Sequence, residues 1–384
     1  MKLVEFLDEK PLYYDDIDYN RMPLAYESIK TLYKLPKIIH IVGTNGKGTT
    51  GRFLAQMLFE QGLHVGHYTS PHILNFNERV WIDGFDVDDV SLELAHQKLQ
   101  NALSPIFLQT LSYFEYTTLL SMLIFCQKCD YVVLEAGLGG EWDATNVFEK
   151  ILSVVTPIGY DHQDFLGNTI ASIATTKINS VKSDFVLAKQ CEQEVYDIAQ
   201  KKAYELGKCV ILAENFLDKN DCLVIDEIVR RCGYASFLKD NLTTALCAFR
   251  KLGFKDSIRF LRALEIKGRC QTIAPNVTLD VGHNPMSAYA IAKHFEGKKV
   301  ILVYNSFKDK DYAKILSILK PIVKEVQIIS IVGKRVAQQE DIIAVLKLLG
   351  MNYCLFSKIE KKETYLVFGS FAVAEAFLKD GFEK

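Results

Sequence analysis

Residues His40 to Thr50 read His-Ile-Val-Gly-Thr-Asn-Gly-Lys-Gly-Thr-Thr, and their types point to phosphate chemistry. Gly43, Gly46 and Gly48 allow a tight turn that aims backbone N–H groups at one point, the arrangement that suits a phosphate. Thr44 and Asn45 fill the turn, Lys47 adds a mobile positive charge, and Thr49 or Thr50 offers a hydroxyl to a metal or a phosphate. The spacing departs from the strict phosphate-loop pattern, because Gly43 lies three residues before Gly46 and Gly48 follows the lysine. Strand, turn and helix still come in the required order, so the stretch reads as a loop for a nucleoside triphosphate rather than an ordinary turn.

Other candidates sit where strands should end. Glu135 follows the apolar Val132-Val133-Leu134, and a carboxylate there, near a triphosphate, is a natural ligand for Mg²⁺. Ser70 and His162 occupy equivalent places on neighbouring strands. An imidazole is an unusual choice for Mg²⁺, so from the residues alone His162 reads more readily as a structural histidine than as a ligand. Lys177 falls in the helical stretch after His162, where a solvated lysine is the default. Asp143-Ala144-Thr145-Asn146 follows a Gly-Gly turn and reads either as a ligand or as a cap and turn. Asp280 and His283 flank Gly282 at a strand-to-helix turn facing a prospective cleft. Cys126 and Cys129 form a lone CxxC, which without a second pair reads as two small core residues.

The elements that position these groups alternate. Strand Lys37 to Val42 enters the loop, and helix Lys47 to Gln61 leaves it, with Phe53, Leu54, Met57 and Leu58 on one face and Gly62 as a C-cap. Strand His64 to Tyr68 leads to Thr69-Ser70-Pro71-His72. Asn77 to Gly84 reads as a strand ending in an Asp-Gly turn. Helices Asp88 to Ala102 and Phe114 to Gln127 precede strand Tyr131 to Leu134. Strand Ile151 to Val155 ends at Thr156-Pro157, with Asp161-His162 just beyond, and strands Phe185 to Leu187 and Val210 to Leu212 follow. The opening thirty-five or so residues read as a helical lead-in, broken at Tyr13-Tyr14-Asp15-Asp16.

A second series starts near Lys267-Gly268-Arg269. It runs through strand Val277 to Val281, a helix to Phe295, strand Val300 to Tyr304 and helix Asp311 to Leu319. Strand Val326 to Ile331, helix Gln339 to Leu349, strand Tyr365 to Phe368 and a helix from Phe371 complete it. This predicts an α/β fold: an N-terminal phosphate-loop NTPase-like domain over 1–265 with a mostly parallel sheet, then a smaller Rossmann-like domain over 266–384. Two such domains in series predict a ligand cleft between them.

Composition limits the alternatives. A chain of 384 residues with 49% hydrophobic content supports two or three domains with real cores. A formal net charge of −2 gives no reason to expect nucleic acid or an anionic membrane as partner. The run Thr117 to Cys126 is too short to span a bilayer, and Met1 to Pro11 lacks a signal-peptide core. Nine cysteines without a framework fit a reduced, soluble, cytoplasmic protein.

Several motifs together carry a resemblance. Gly43-Thr-Asn-Gly-Lys-Gly-Thr49, Thr69-Ser-Pro-His72, Tyr113-Phe-Glu-Tyr116, Leu134-Glu-Ala-Gly-Leu-Gly-Gly140, Asp143-Ala-Thr-Asn146, Asp161-His162 and Asp280-Val-Gly-His-Asn-Pro285 occur in the order seen in folylpolyglutamate synthases. From about residue 20 to the end, including Gly369-Ser370-Phe371, the chain resembles the bifunctional dihydrofolate synthase/folylpolyglutamate synthase family of the Mur ligase superfamily. The resemblance implies ATP-dependent amide formation with L-glutamate, dihydropteroate and reduced folates as substrates, in a monomer. It implies that Ser70 and Glu135 bind one Mg²⁺, and that Glu135, His162 and a carbamylated Lys177 bind a second. Carbamylation would turn that lysine into a carboxylate-like ligand. The resemblance further implies that Arg269 touches the phosphates, that Asn241 and Asp280 hold ATP, and that His283 lies between the nucleotide and glutamate regions.

The chain departs from the family pattern at four places. Thr176-Lys177-Ile178-Asn179 stands where the family usually has Glu-Lys-Ala-Gly, and Glu141-Trp142 where many relatives carry arginine before Asp-Ala-Thr-Asn. Met286 stands where many have histidine, and the first thirty or so residues match poorly. Two other readings remain. A Mur-type ligase acting on a cell-wall nucleotide precursor needs a UDP-binding domain ahead of the loop, where the chain has only the residues before Gly43. A phosphate-loop hydrolase or switch would hydrolyse ATP without glutamate or folate and leaves the second α/β domain unexplained.

Overall fold

The structure, a computed structural model, describes residues 1–11, 18–259, 261–264 and 266–381. The expected break at Tyr13 to Asp16 lies outside the described residues. The chain forms two compact units. One comprises Met1–Ile158, Ile170–Ile228 and Asp240–Leu261, and the other Gly159–Thr169, Val229–Lys239 and Arg262–Lys384.

The first unit is built on an eight-stranded sheet. Its strands are β1 (Lys37–Val42), β2 (Val65–Tyr68), β3 (Val80–Ile82), β4 (Phe85–Asp86), β5 (Tyr131–Glu135), β6 (Leu152–Val155), β7 (Phe185–Leu187) and β8 (Val210–Leu212), in the order β4-β3-β2-β5-β1-β6-β7-β8. Five of the seven pairings are parallel; only β2 with β3 and β3 with β4 are antiparallel. Every residue of β1 after Lys37 is buried, as a parallel strand covered on both faces requires.

Helix Tyr113–Lys128 is buried from Tyr116 to Phe125, and it starts at a reciprocal cap between Ser112 and Glu115. Among the described residues no helix is long and apolar enough to cross a membrane.

The strand expected over Asn77 to Gly84 is shorter than the pattern predicts. Residues Phe76–Arg79 form a 3₁₀ turn, because the Glu78 carboxylate accepts hydrogen bonds from the N–H groups of Ile73, Leu74 and Asn75 and coils the chain. The Asp83-Gly84 turn does join β3 to β4, with both residues at positive φ (49° and 104°), the geometry of a tight hairpin.

The second unit carries a six-stranded sheet. Its strands are β9 (Gln271–Ala274), β10 (Val277–Asp280), β11 (Val300–Tyr304), β12 (Val323–Ile328), β13 (Tyr353–Leu355) and β14 (Tyr365–Phe368), ordered β13-β12-β11-β14-β10-β9. Only β9 runs antiparallel. Strand β12 begins and ends three residues before the expected Val326 to Ile331. Pairing with β11 sets that window, since Val300 lies opposite Val323 and Tyr304 opposite Ile328. Strands β9 and β13 escape the sequence pattern because each is a short edge strand with little buried surface. Helices Pro285–His294, Tyr312–Leu319 and Gln339–Leu348 supply Ala288, Ile291, Ile315, Leu316, Leu319, Ile342 and Leu346 to the core on this sheet.

Candidate active site

Parallel pairing brings the loop residues together in the first unit. Ile41 of β1 lies opposite Glu135 of β5, and Val42 lies opposite Val155 of β6, so Gly43, Glu135 and Thr156 leave the sheet at one edge. The carbonyl of Pro157 accepts the N–H groups of Thr44 (3.0 Å) and Asn45 (3.1 Å) and fixes the path of the turn. Helix Lys47–Phe59 follows, with Gly46 as its N-cap. The first-turn N–H groups, from Lys47 to Thr49, are those that helix geometry leaves without intrahelical acceptors, and they suit an anion.

Two glycines of the loop are closely approached by side chains. Gly46 has φ +83°, and a Cβ there would lie 2.5 Å from Oδ1 of Asn241. A Cβ on Gly48 would lie 3.2 Å from the Thr69 hydroxyl and 3.5 Å from Oε2 of Glu135. The sequence-predicted residues Gly46, Gly48, Asn241 and Glu135 are therefore neighbours. The Thr69 hydroxyl, next to Ser70 in the chain, donates to Oε2 of Glu135.

Two lysines meet at the loop. Lys47 donates to the carbonyls of Gly43 (3.2 Å) and Thr44 (3.3 Å), and Lys177 donates to the same Gly43 carbonyl at 3.0 Å. Lys177 lies in the last turn of helix Ile170–Ile178 and is buried, not the solvated lysine that a helical setting suggests. The turn after Glu135 is laced to the end of that helix, since Glu141 N–H donates to the Thr176 carbonyl (3.0 Å). The Asn179 side-chain amide donates to Oε2 of Glu141 at 2.9 Å, so two of the departures from the family pattern are partners in space.

Asp143 is committed to its own turn. Its carboxylate accepts the N–H groups of Gly137 (3.0 Å), Leu138 (2.9 Å) and Thr145 (2.9 Å), together with the Thr145 hydroxyl. Burial raises its pKa above the ordinary carboxylate value, and those hydrogen bonds oppose the rise. Thr145 in turn contacts Nε2 of the buried His40 at 2.8 Å. Below the turn, Lys150 donates to the Asn146 side chain and to the Ser180 carbonyl. Burial, helped by the charge of Lys182 and opposed by that of Asp143, pulls the Lys150 ammonium down to about 7.

The residues present fit a divalent cation of the Mg²⁺ type. Glu135 and the Thr69 hydroxyl supply hard oxygen, beside a Gly48 whose missing Cβ leaves room. Among the described residues no cluster of three or more His, Cys, Asp or Glu forms a complete protein cage. Mg²⁺ does not need one, since it binds through one or two carboxylates, water and substrate phosphates.

The second unit holds the remaining candidates. The loop Gly159–Thr169 belongs to it, and Asp161 is its anchor. Oδ1 of Asp161 accepts from Lys310 (2.6 Å) and from the His162 N–H (2.9 Å), while Oδ2 faces Nε2 of His283 (3.3 Å) and the Asn284 amide (3.2 Å). Burial alone would raise this carboxyl. The hydrogen bond from His283 and the charges of His283, His162 and Lys310 outweigh it and hold the pKa well below the usual range. Nδ1 of His283 contacts the Val281 carbonyl at 3.1 Å, so both ring nitrogens are oriented. Asp280 accepts the N–H groups of Cys270 (2.9 Å) and Gly282 (2.8 Å). The Arg269 guanidinium lies 5.5 Å from the centre of the Phe371 ring. The sequence marks Asp161-His162 as part of the family pattern without giving the carboxylate a partner, and nothing local marks Lys310.

A phosphate loop on a mostly parallel sheet, with a hard-oxygen cradle beside it, defines an ATP-using α/β enzyme. No family model matches the chain. It is 31% identical over 415 aligned residues to the dihydrofolate synthase/folylpolyglutamate synthase of Haemophilus influenzae, covering 94% of this chain and 93% of that one. It superposes on Helicobacter pylori folylpolyglutamate synthetase with a TM-score of 0.81 at 42% identity, covering 98% and 97% of the two chains. A bifunctional folylpolyglutamate synthase/dihydrofolate synthase structure with Mn, AMPPNP and L-glutamate bound matches with a TM-score of 0.79 at 26% identity, covering 98% and 96%. The chain belongs to the dihydrofolate synthase/folylpolyglutamate synthase family.

Proposed function

We propose that the protein adds L-glutamate to dihydropteroate and to reduced folates, using ATP and passing through an acyl phosphate. A carboxylate is a poor electrophile because its charge repels a nucleophile. In the first step a carboxylate oxygen of the acid bonds to the γ-phosphorus, the bond to the β,γ-bridging oxygen breaks, and ADP leaves. In the second the glutamate amine, having lost a proton, attacks the acyl carbon, and phosphate departs with the bonding electrons. The first step brings anions together, so it needs cations and preorganised donors.

In this reading Lys47 and the first-turn N–H groups of the helix after Gly46 hold the phosphates. Glu135, with Ser70 or Thr69, would hold Mg²⁺, which when bound offsets phosphate charge. A second ion, held by Glu135, His162 and a carbamylated Lys177, belongs to the same proposal. Asn241, Arg269 and Asp280 bind nucleotide, and His283 bridges to the glutamate region. The observation that carries the reading is the Glu135 carboxylate, tied to Thr69 and set against Gly48 of the phosphate loop. A cytoplasmic monomer without nucleic-acid or membrane partners completes it.

The test is product mass spectrometry on the purified protein with ATP, Mg²⁺ and glutamate, in parallel reactions with dihydropteroate or tetrahydrofolate. Glutamate added to both acids is the expected result, and addition to one assigns a single ligation. ATP hydrolysis with no ligation in either would replace the reading with that of a phosphate-loop hydrolase.

A further inference from the structure

Arg79 is the last residue before β3 and is only 8% exposed. Its carbonyl accepts the Thr69 N–H at 3.0 Å, so the side chain is rooted beside the threonine that engages Glu135. Among the described residues its one side-chain hydrogen bond runs from Nε to Nδ1 of His72 at 2.8 Å. The guanidinium carbon lies 5.1 Å from the centre of the Tyr113 ring and 5.8 Å from that of Phe76. No described carboxylate pairs with it. Neighbouring Glu78 receives the N–H groups of Ile73, Leu74 and Asn75, and Glu115, on the helix of Tyr113, pairs with Arg21 at 2.9 Å.

A guanidinium keeps its charge and carries five N–H donors in a fixed fork, of which this structure engages one. A charge withdrawn from water without a counter-ion is unfavourable, so natural proteins pair it or give it to a ligand. The fork matches the two oxygens of a carboxylate. The aromatic walls of Tyr113 and Phe76 add a flat apolar setting that suits an aryl group behind that carboxylate.

We infer that Arg79 is the residue that recognises the carboxylate of the acid substrate, an aryl or arylamido carboxylate, at the same sheet edge as Glu135. This rests on the reading of the protein as a folate-type ligase. Arg79 does not touch the phosphates in this scheme, so its effect falls on the acid alone.

The experiment compares wild type, Arg79→Gln and Arg79→Lys in steady-state ligation, and in calorimetric binding of dihydropteroate to the full chain. In Arg79→Gln, KM for dihydropteroate and tetrahydrofolate should rise about tenfold or more, as loss of a charge-assisted pair implies. KM values for ATP and glutamate should stay within about twofold, because no donor to either is removed. Arg79→Lys keeps the charge but not the fork and should fall between. If Arg79→Gln does not fold, Arg79→Lys carries the test, with dihydropteroate binding weakened and ATP binding retained. An unchanged KM and unchanged binding for the acid in either folded variant would overturn the inference and leave Arg79 as a packing residue between two rings. A wild-type protein that ligates neither acid would instead refute the ligase reading, and the comparison of variants is read only when wild type is active.

Discussion

Asp161 offers the sharpest test of the second unit. Asp161→Asn keeps the size of the side chain and removes its charge. The Lys310 side chain, 7% exposed, then loses the carboxylate that it meets at 2.6 Å. Breaking a buried pair by removing one partner costs about 3–5 kcal/mol. Here the lower end applies, for two reasons. Asp309 lies 3.7 Å from the same ammonium, although Arg335 already holds that carboxylate at 2.6 Å. An asparagine oxygen can also still accept one of the bonds from Lys310 or Asn284. A loss of about 3 kcal/mol corresponds to a fall of roughly 10 °C in the melting temperature of a unit of this size.

The assay is a calorimetric scan of the full chain for Asp161→Asn, Lys310→Met and the double variant. Each single change deprives one buried charge of its nearest partner, whereas the double change removes both charges. The double variant should therefore be less destabilised than the sum of the singles by about 1 kcal/mol or more. Additive singles, or a shift below about 2 °C for Asp161→Asn, would refute the reasoning. In that case the Asn284 and His162 contacts, not the ion pair, hold the loop.

Three further outcomes are expected. Lys47→Ala should lower kcat about a hundredfold, the effect of losing one preorganised donor worth about 3 kcal/mol, and activity within a fewfold of wild type would remove Lys47 from the phosphate site. Lys177→Ala should lower ligation and be partly rescued by acetate or formate, whereas a fully active variant would show that no carbamate is needed. Lys150, pulled down to about 7 when folded, binds fewer protons than in the unfolded chain between that pH and the ordinary lysine value. Its contribution to stability therefore increases as pH rises from about 7 towards 10, and unfolding midpoints of wild type should gain on those of Lys150→Met across that window. Parallel profiles would show that the ammonium is not held in this environment.

The α/β architecture was legible because its central strands are unbroken apolar runs and its helices carry recognisable caps and spacing. Strands β1, β7, β8, β11 and β14 fall where the pattern places them, residue for residue. What the pattern misplaced was set by contacts distant in the chain or by side chains acting on backbone. Glu78 coils the segment that read as strand, and β11 chooses the window of β12. Short edge strands such as β9 and β13 have no fully buried side chain, so no periodic apolar signal marks them.

The site divides along the same line. Loop residues Gly43 to Thr49 announce themselves because one local turn does the work. Asp161 and Lys310 meet only through the fold, 149 residues apart, and nothing in the sequence pairs them. Glu141 and Asn179 make the case most directly. In the sequence they are two unrelated departures from the family pattern, one of them a reversed charge beside the loop. In the structure the asparagine amide donates to that carboxylate at 2.9 Å, while the Glu141 backbone N–H caps Thr176. The Glu141 carboxylate thus has an amide donor of its own. The end of the helix that carries Lys177 stays anchored, and its ammonium still reaches the Gly43 carbonyl. The charged group and its amide donor thus come from two positions 38 residues apart in the chain.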